Sequence, residues 1–223
     1  MSGVELPPAL RDRVLADVAA ERAPSRRDVQ VRRAVAIGAC TVALVPLALG
    51  LRADFHELPT VYALGTAVLL GAAAGSLLAF GLSRGAAMMG PKVAVLTTAA
   101  LLAPALVAAW VLLGLAAVPK GPLLDDAAAL RATLVCDGMA LLLATPPLFA
   151  MLAYRRVFSA TSPALVGATL GAAAGCLAHL GVHLHCSIND PSHVMIGHLL
   201  PALPLAALGA WVLARRQPAR GGR

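Results

Sequence analysis

Six long apolar segments follow one another along the chain, and short polar connections separate them. Each segment is about as long as the roughly 20 residues that an α-helix needs to cross the hydrocarbon core of a bilayer. The pattern therefore predicts an all-α membrane protein with six transmembrane helices. The predicted spans are residues 34–51, 61–82, 93–118, 132–153, 164–184 and 194–213. Their connections are too short to hold a folded domain outside the membrane.

The basic residues are divided very unequally between the two sides that these spans define. Of the 18 Lys and Arg residues, 15 lie in the N-terminal region, the second and fourth connections and the C-terminal tail. Because positively charged connections stay in the cytoplasm, both termini are predicted to be cytoplasmic. The predicted divisions are a cytoplasmic head at 1–33, a six-helix transmembrane domain at 34–213 and a basic cytoplasmic tail at 214–223.

The head carries a short helical pattern of its own. Pro7 and Pro8 suit the first turn of a helix, and apolar residues then recur at helical spacing while Arg11 lies on another face. The apolar stripe is formed by Leu6, Leu10, Val14, Leu15 and Val18. A stripe with nothing within 33 residues to cover it must lie on the membrane, dock on the helix bundle or bind a partner. The head is thus predicted to contain a short amphipathic helix.

Glycine recurs at every fourth position in two of the predicted spans. The second span contains Gly71 and Gly75, and the fifth contains Gly167, Gly171 and Gly175. Small residues at this spacing let the backbones of two membrane helices approach closely. Both stretches are therefore predicted to be helix contacts.

Composition agrees with a membrane protein and excludes a soluble domain. The chain is 59% hydrophobic and 13% charged, with a mean hydropathy of +0.81, whereas soluble domains are about 45–50% apolar and about 25% charged. The isoelectric point near 10.1 does not indicate direct nucleic-acid binding, because the basic residues border the apolar segments, where they anchor and orient helices.

Most of the reactive side chains lie in one short stretch, Cys176–His198. It holds five of the six histidines and two of the four cysteines. A rise of about 1.5 Å per residue places groups from the fourth, fifth and sixth spans in one layer near the outer face. Cys136 and Asp137 of the fourth span belong to this layer.

This layer has two possible uses for its imidazoles. His179 and His183 are four residues apart and share a helix face, a spacing that can bind a metal ion. A zinc or copper site would use Asp137, His179, His183 and His198 as ligands or supporting groups. The alternative is a hydrogen bond between Asp137 and His179 or His198, with histidines that bind nothing. No CxxC or HExxH motif is present, and no cofactor is expected otherwise.

The cysteines allow a redox use instead. Cys136 and Cys186 both fall in the outer part of the bundle, and a disulfide between them is compatible with the predicted topology. Neighbouring histidines would make such a pair reactive by lowering a thiol pKa. Cys40 and Cys176 are expected to be structurally inert.

The C-terminal hairpin resembles a known family. A small-residue helix leads to His183-Leu-His185-Cys186, a polar loop Ser-Ile-Asn-Asp-Pro-Ser follows, and the last helix ends Gly209-Ala-Trp-Val-Leu-Ala-Arg-Arg216. This arrangement resembles the close of the NrsF-type polytopic membrane anti-sigma factors. The head sequence Leu-Pro-Pro-Ala-Leu-Arg-Asp-Arg-Val-Leu at 6–15 is also similar to the start of myxobacterial regulators, including the CarR-type light-response anti-sigma factors of carotenoid synthesis.

The resemblance implies a regulator, not an enzyme. It implies that the chain binds an extracytoplasmic-function (ECF) sigma factor through the head at the bacterial inner membrane and releases it on an external or oxidative signal. For a CarR-type protein that signal would be light-generated reactive oxygen. Cys136 and Cys186 fall on the positions of the family's sensing pair.

A different class of function also fits the polar layer. A transporter of metal ions or small solutes would have Asp137, His179 and His198 on its path. A membrane oxidoreductase is the weakest alternative, because the CxxC motif expected of it is missing.

Overall fold

A computed structural model describes residues 7–21, 26–82, 93–116, 126–155 and 162–216, and within these ranges the chain is helical and has no strand. The helices are α1 (Pro8–Glu21), α2 (Arg26–Leu49), α3 (Thr60–Leu82), α4 (Val93–Leu115), α5 (Asp126–Arg155), α6 (Pro163–His183), α7 (Pro191–Val194) and α8 (Ala202–Arg216). A π-helical turn, Met195–Leu199, joins α7 to α8. The predicted all-α class is confirmed for these residues.

Four stretches of the described chain are long and apolar enough to cross a membrane. They are Thr60–Leu82, Asp126–Ala153, Pro163–His183 and Pro191–Arg216. Two shorter apolar helical stretches, Gly38–Leu49 and Leu101–Gly114, fall within the first and third predicted spans. The chain is therefore a helical protein of the membrane type.

Some helices begin earlier than the apolar pattern indicates. Helix α2 begins at Arg26, inside the predicted head, and α5 begins at Asp126, six residues before its predicted span. Backbone hydrogen bonding continues through polar residues, whereas the predicted boundaries follow only the apolar runs. An acidic residue in each first turn, Asp28 and Asp126, interacts favourably with the positive end of its helix.

Helix α6 lies at the centre of the bundle and contacts α2, α3, α4, α5 and α8. Its contact with α8 depends on the predicted glycines. A Cβ atom added to Gly167 or Gly171 would lie 2.1 Å from a backbone oxygen of α8, and one added to Gly175 would lie 2.7 Å from the Cβ of Ala202. The prediction of close packing is confirmed for this helix.

The same prediction is wrong for α3. Added Cβ atoms at Gly71 and Gly75 would meet nothing within 4 Å, and both residues are exposed. Spacing alone does not fix which face of a helix meets its neighbours. The face of α3 that packs inward carries Leu70, Ala74 and Leu77 instead.

The last apolar segment is not one regular helix. The side chain of Asp190 accepts a hydrogen bond from the backbone N–H of His193 at 2.8 Å and caps α7. The N–H of Leu200 then bonds to the carbonyl of Met195, five residues back, at 2.9 Å. Pro201 follows and has no N–H to continue an α-helical ladder. This turn therefore contains one residue more than a turn of an α-helix. As a result, side chains five positions apart point towards the same face.

Candidate functional site, a buried thiol and imidazole cluster

Six buried side chains that carry thiols or imidazoles meet at one end of the bundle, where α6 ends and α5 and α7 begin. Helix α5 contributes one, α6 contributes two, and the others come from the α6–α7 loop, from α7 and from the π-helical turn. The members of this thiol–imidazole cluster are Cys136, His179, His183, Cys186, His193 and His198. The single layer that the sequence predicts from three spans is therefore present in the structure.

The two thiols of the cluster are in contact. The Sγ atoms of Cys136 and Cys186 are 3.8 Å apart, and both cysteines are free. The Sγ of Cys186 also lies 3.3 Å from Nε2 of His193. Hydrogen bonding with Cys136 and with His193 lowers the pKa of Cys186, which lies in the loop after α6, although burial opposes it. Because an imidazole nitrogen lies 3.3 Å from its sulfur and can take up its proton, Cys186 is the better nucleophile of the pair.

A threonine holds the His193 ring in place. The hydroxyl of Thr133 lies 3.0 Å from Nδ1 of His193 and donates to the carbonyl of Ala129 at 2.8 Å. Because the Thr133 hydroxyl donates its proton to the carbonyl, its oxygen acts as the acceptor for Nδ1–H of His193. The neutral ring then has no proton on Nε2, which can accept a hydrogen bond from a thiol. The sequence prediction did not include His193 among the site residues.

The three remaining imidazoles pack against one another. The rings of His179 and His183 are stacked with centroids 5.9 Å apart, and the ring of His198 meets His179 edge-on at 5.5 Å. Among the described residues, neither ring nitrogen of His179 or of His198 has a hydrogen-bond partner. Buried polar atoms are nearly always paired, so such exceptions need a physical explanation.

His198 belongs to two overlapping groups of potential metal ligands. In one, its ligand atom lies within 4.8 Å of those of Cys136, Cys186 and His193; in the other, it lies within 4.8 Å of those of His179 and His183. Thiolate and imidazole are the ligands that zinc and copper prefer. The cluster can therefore take part in thiol oxidation or in metal binding.

Asp137 joins neither of these groups, although the sequence suggested it as a ligand or as a partner of His179 or His198. It is half-buried on α5, directly after Cys136. Neighbouring residues of an α-helix point about 100° apart. When Cys136 faces the cluster, Asp137 is therefore turned away from it.

Next to the cluster, Arg52, Asp54 and Asn189 form a hydrogen-bonded group that we call the polar clamp. Buried Arg52 donates to Asp54 at 2.6 and 2.8 Å and to Oδ1 of Asn189 at 2.6 Å, and Asn189 donates to Asp54 at 3.0 Å. Burial tends to raise the pKa of Asp54, but the hydrogen bonds and the charge of Arg52 outweigh it and lower that pKa. The clamp fixes the α2–α3 loop to the α6–α7 loop, next to Cys186.

One signal in the sequence pointed to this clamp. Arg52 is one of only three basic residues in the connections on the predicted outer side, and Asp54 follows it two positions later. An isolated Arg in such a connection needs a partner of its own when it is buried. Its contact with Asn189, 137 residues away, has no sequence signal.

At the other end of the chain, α1 is a helix that leaves its apolar side chains uncovered. Leu10, Val14 and Leu15 are 46%, 47% and 57% exposed, and Arg11 is exposed beside them. Leu6 lies outside the described residues, and so does the side chain of Val18. The predicted helix is thus present from Pro8 to Glu21, and its amphipathic role stays a prediction.

Comparison with known proteins places the chain in a family. Residues 15–216 match the family NrsF, described as negative regulator of sigma F. The chain belongs to this family, as the C-terminal hairpin predicted. No curated protein and no solved structure matches the chain significantly. Membership makes the chain a negative regulator of a sigma factor, and no enzymatic function is implied.

Proposed function

We propose that the chain is an anti-sigma factor that holds an ECF sigma factor at the bacterial inner membrane through its head, residues 1–33. It releases the sigma factor when Cys136 and Cys186 are oxidised from outside. The observation that carries the proposal is the 3.8 Å contact between these thiols in a chain of the NrsF family. The signal in a CarR-type system would be light-generated reactive oxygen.

The proposed topology has six transmembrane helices, with the domain at 34–213 and the tail at 214–223. The four candidate spans and the two shorter apolar stretches, Gly38–Leu49 and Leu101–Gly114, supply six crossings. The distribution of 15 basic residues against three supports cytoplasmic termini. The thiol–imidazole cluster then lies near the outer side of the membrane. Thiols on that side are exposed to oxidants, whereas those in the cytoplasm are kept reduced.

The head is proposed as the sigma-binding element. Its exposed Leu10, Val14 and Leu15 form an apolar stripe, and helices of this kind lay such a stripe into a groove of a partner. Arg11 beside the stripe can pair with acidic residues of that partner. No direct contact with nucleic acid is proposed.

The sensing step is a simple thiol oxidation. Two thiols and one hydrogen peroxide give one disulfide and two waters: the thiolate of Cys186 attacks the peroxide, and Cys136 then displaces hydroxide from the resulting sulfenic acid. A disulfide needs an S–S distance of about 2.05 Å, so the sulfurs must approach from their present 3.8 Å. In the proposed step, rotation of the two side chains and a movement of the α6–α7 loop relative to α5 both contribute to this approach.

A path from this movement to the head exists in the packing. Helix α2, whose first residues belong to the head, contacts both α5 and α6. A shift between α5 and α6 therefore changes the surface on which α2 rests. We expect the head to lose its grip on the sigma factor as α2 moves.

The experiment uses the full chain in membranes together with its sigma factor. Hydrogen peroxide should release the sigma factor from the wild type but not from Cys136→Ser or Cys186→Ser, and Cys40→Ser, an exposed thiol on α2, should behave as the wild type. Release from both cysteine variants would overturn the sensing assignment. Failure of the wild-type chain to retain any ECF sigma factor would overturn the function itself.

The transporter alternative has one supporting observation. A cavity of about 310 Å³ is bordered by His179 and His198. Asp137, the carboxylate expected on such a path, is not among its lining residues, and family membership favours the regulator. Metal uptake into vesicles that is lost in Asp137→Asn would favour transport, whereas altered transcription without flux favours the regulator.

A further inference from the structure

We propose that His179, His183 and His198 form a binding site for one transition-metal ion, with Zn²⁺ as the best-fitting ion. This imidazole site is separate from the thiol pair to which the sensing step is assigned. It shares the bundle end with that pair, and it does not depend on the anti-sigma function.

The geometry of the three rings suits a shared ion. One nitrogen from each ring lies within 4.8 Å of the other two. Nitrogens bound to tetrahedral zinc at about 2.0–2.1 Å lie roughly 3.3–3.4 Å from one another. To bind one ion, the rings must rotate about their side-chain bonds so that these nitrogens approach and their in-plane lone pairs converge on one point. His179 and His183 come from successive turns of α6, and His198 reaches them from the π-helical turn.

The buried nitrogen atoms supply the second, independent observation. His179 is 1% exposed and His198 is 2% exposed, and all four of their ring nitrogens are unpaired among the described residues. Burying polar groups without partners costs free energy, and more so where lipid replaces water. An ion bound by one nitrogen of each ring would offset much of this cost.

The site lies beside a cavity that leaves room for a further ligand. The cavity of about 310 Å³ borders His179 and His198, so a water molecule or another small ligand fits next to the rings. Apolar side chains such as Leu101, Leu199 and Leu203 form most of its wall. The thiol group of Cys186 also lies within 4.8 Å of a ligand nitrogen of His198.

Because His198 belongs to both groups of potential ligands, a metal ion could also be assigned to the other group. An ion held by Cys136, Cys186, His193 and His198 would be tetrahedral with a closed shell, as in structural zinc sites. An ion held by the three imidazoles keeps a fourth position open towards the cavity. The ligand atoms differ, so a spectroscopic probe distinguishes the two sites.

The test uses the full-length chain in detergent, stripped with a chelator and titrated with Zn²⁺ and with Co²⁺. We expect one ion per chain and a Co²⁺ spectrum without thiolate charge-transfer bands. His179→Ala and His183→Ala should weaken binding by at least about 100-fold, since even supporting residues around a metal ion change affinity by 10–100-fold. The exposed His56 provides the matched control, His56→Ala, with unchanged affinity.

Further variants distinguish a loss of metal binding from a loss of folding. His179→Leu removes unpaired polar atoms, so the metal-free variant should unfold at the same temperature as the wild type or above it. The double variant Cys136→Ser with Cys186→Ser should still bind Zn²⁺. Binding lost in that double variant, thiolate bands with Co²⁺, or no binding by the wild type would each overturn the imidazole site. Sigma-factor retention, measured on the same preparations, reports separately on the proposed function.

Discussion

The head helix and the thiol–imidazole cluster depart from the usual distribution of side chains in opposite directions. Helix α1 leaves Leu10, Val14 and Leu15 about half exposed. The cluster instead buries His179 and His198, whose ring nitrogens have no hydrogen-bond partner in the part of the chain that the structure describes. The exposed stripe supports the proposed protein partner, whereas the buried nitrogens support the proposed metal ion. The two regions therefore favour different kinds of partner.

The two regions also differ in how firmly they are held. Residues of the cluster come from α5, α6, α7 and the π-helical turn, which all pack against α6 or α5. Helix α1 is not part of any of the larger helix–helix contacts among the described residues. A rigid bundle end suits a site whose atoms must meet within tenths of an ångström, and a loosely attached helix suits a reversible partner.

The largest expected effect concerns the exposed stripe. The triple variant Leu10→Ser, Val14→Ser and Leu15→Ser should weaken sigma-factor binding about 100-fold, because each half-buried aliphatic contact contributes about 1 kcal/mol. The measurement is a binding isotherm of the solubilised full chain with its sigma factor. Asp12→Ser, at an exposed position on the opposite side of the same helix, should leave the affinity unchanged, and an unchanged affinity in the triple variant would remove the head from the interface.

The second-largest effect is expected on the stability of the helix bundle, at the contact between α6 and α8. Gly171→Leu places a side chain where even a Cβ would lie 2.1 Å from the carbonyl oxygen of Leu205, and such overpacking costs about 2–3 kcal/mol. The free energy of unfolding in detergent should fall accordingly. Gly71→Leu, with nothing within 4 Å of its added Cβ, is the matched control and should change it little. Equal losses in the two variants would contradict the observed packing of α6 on α8.

The glycine pair also shows what sequence can predict. Depth along a helix follows from a rise of about 1.5 Å per residue, and this rise was enough to place Cys136 and Cys186 in one layer. Rotation about the helix axis does not follow from it. Rotation is set by packing against neighbours, so the sequence did not predict that Gly71 faces outward or that Asp137 turns away from the cluster.

Two further features needed the tertiary structure for different reasons. The rings of His193 and His198 meet at a centroid distance of 5.1 Å. The π-helical turn Met195–Leu199 brings residues five positions apart towards one face, and a periodicity of 3.6 residues does not predict such a turn. The clamp joins Arg52 to Asn189 across 137 positions. Contacts between distant loops depend on how the helices are arranged, which local patterns do not specify.

A smaller effect is expected at the clamp. Arg52→Met leaves Asp54 and Asn189 without their shared donor and should cost about 1–2 kcal/mol. The α6–α7 loop should then open more often, and Cys186 should react faster with a membrane-impermeant maleimide. Arg131→Met, at an exposed position on α5, should not alter the rate. If both variants label at the wild-type rate, the clamp does not restrain the loop.

The smallest effect is expected at the cap of α7. Asp190→Ala removes the acceptor for the His193 N–H and should cost about 1 kcal/mol of unfolding free energy. Hydrogen bonds from Ser192 and from that N–H lower the pKa of Asp190 below its ordinary 3.8. The cap therefore contributes fully above about pH 4 and is lost as the pH falls through the lowered pKa.

Asp190→Asn separates the cap from its charge. Asn caps helices about as well as Asp but does not titrate, so this variant should keep most of the stability at neutral pH and lose less of it in acid. Thermal unfolding in detergent between about pH 3 and pH 7, a range that spans ordinary carboxyl pKa values, measures both variants. Identical pH dependence in wild type and Asp190→Asn would mean that the charge of this carboxylate adds nothing to the cap, and that the hydrogen bond to the His193 N–H accounts for its whole contribution.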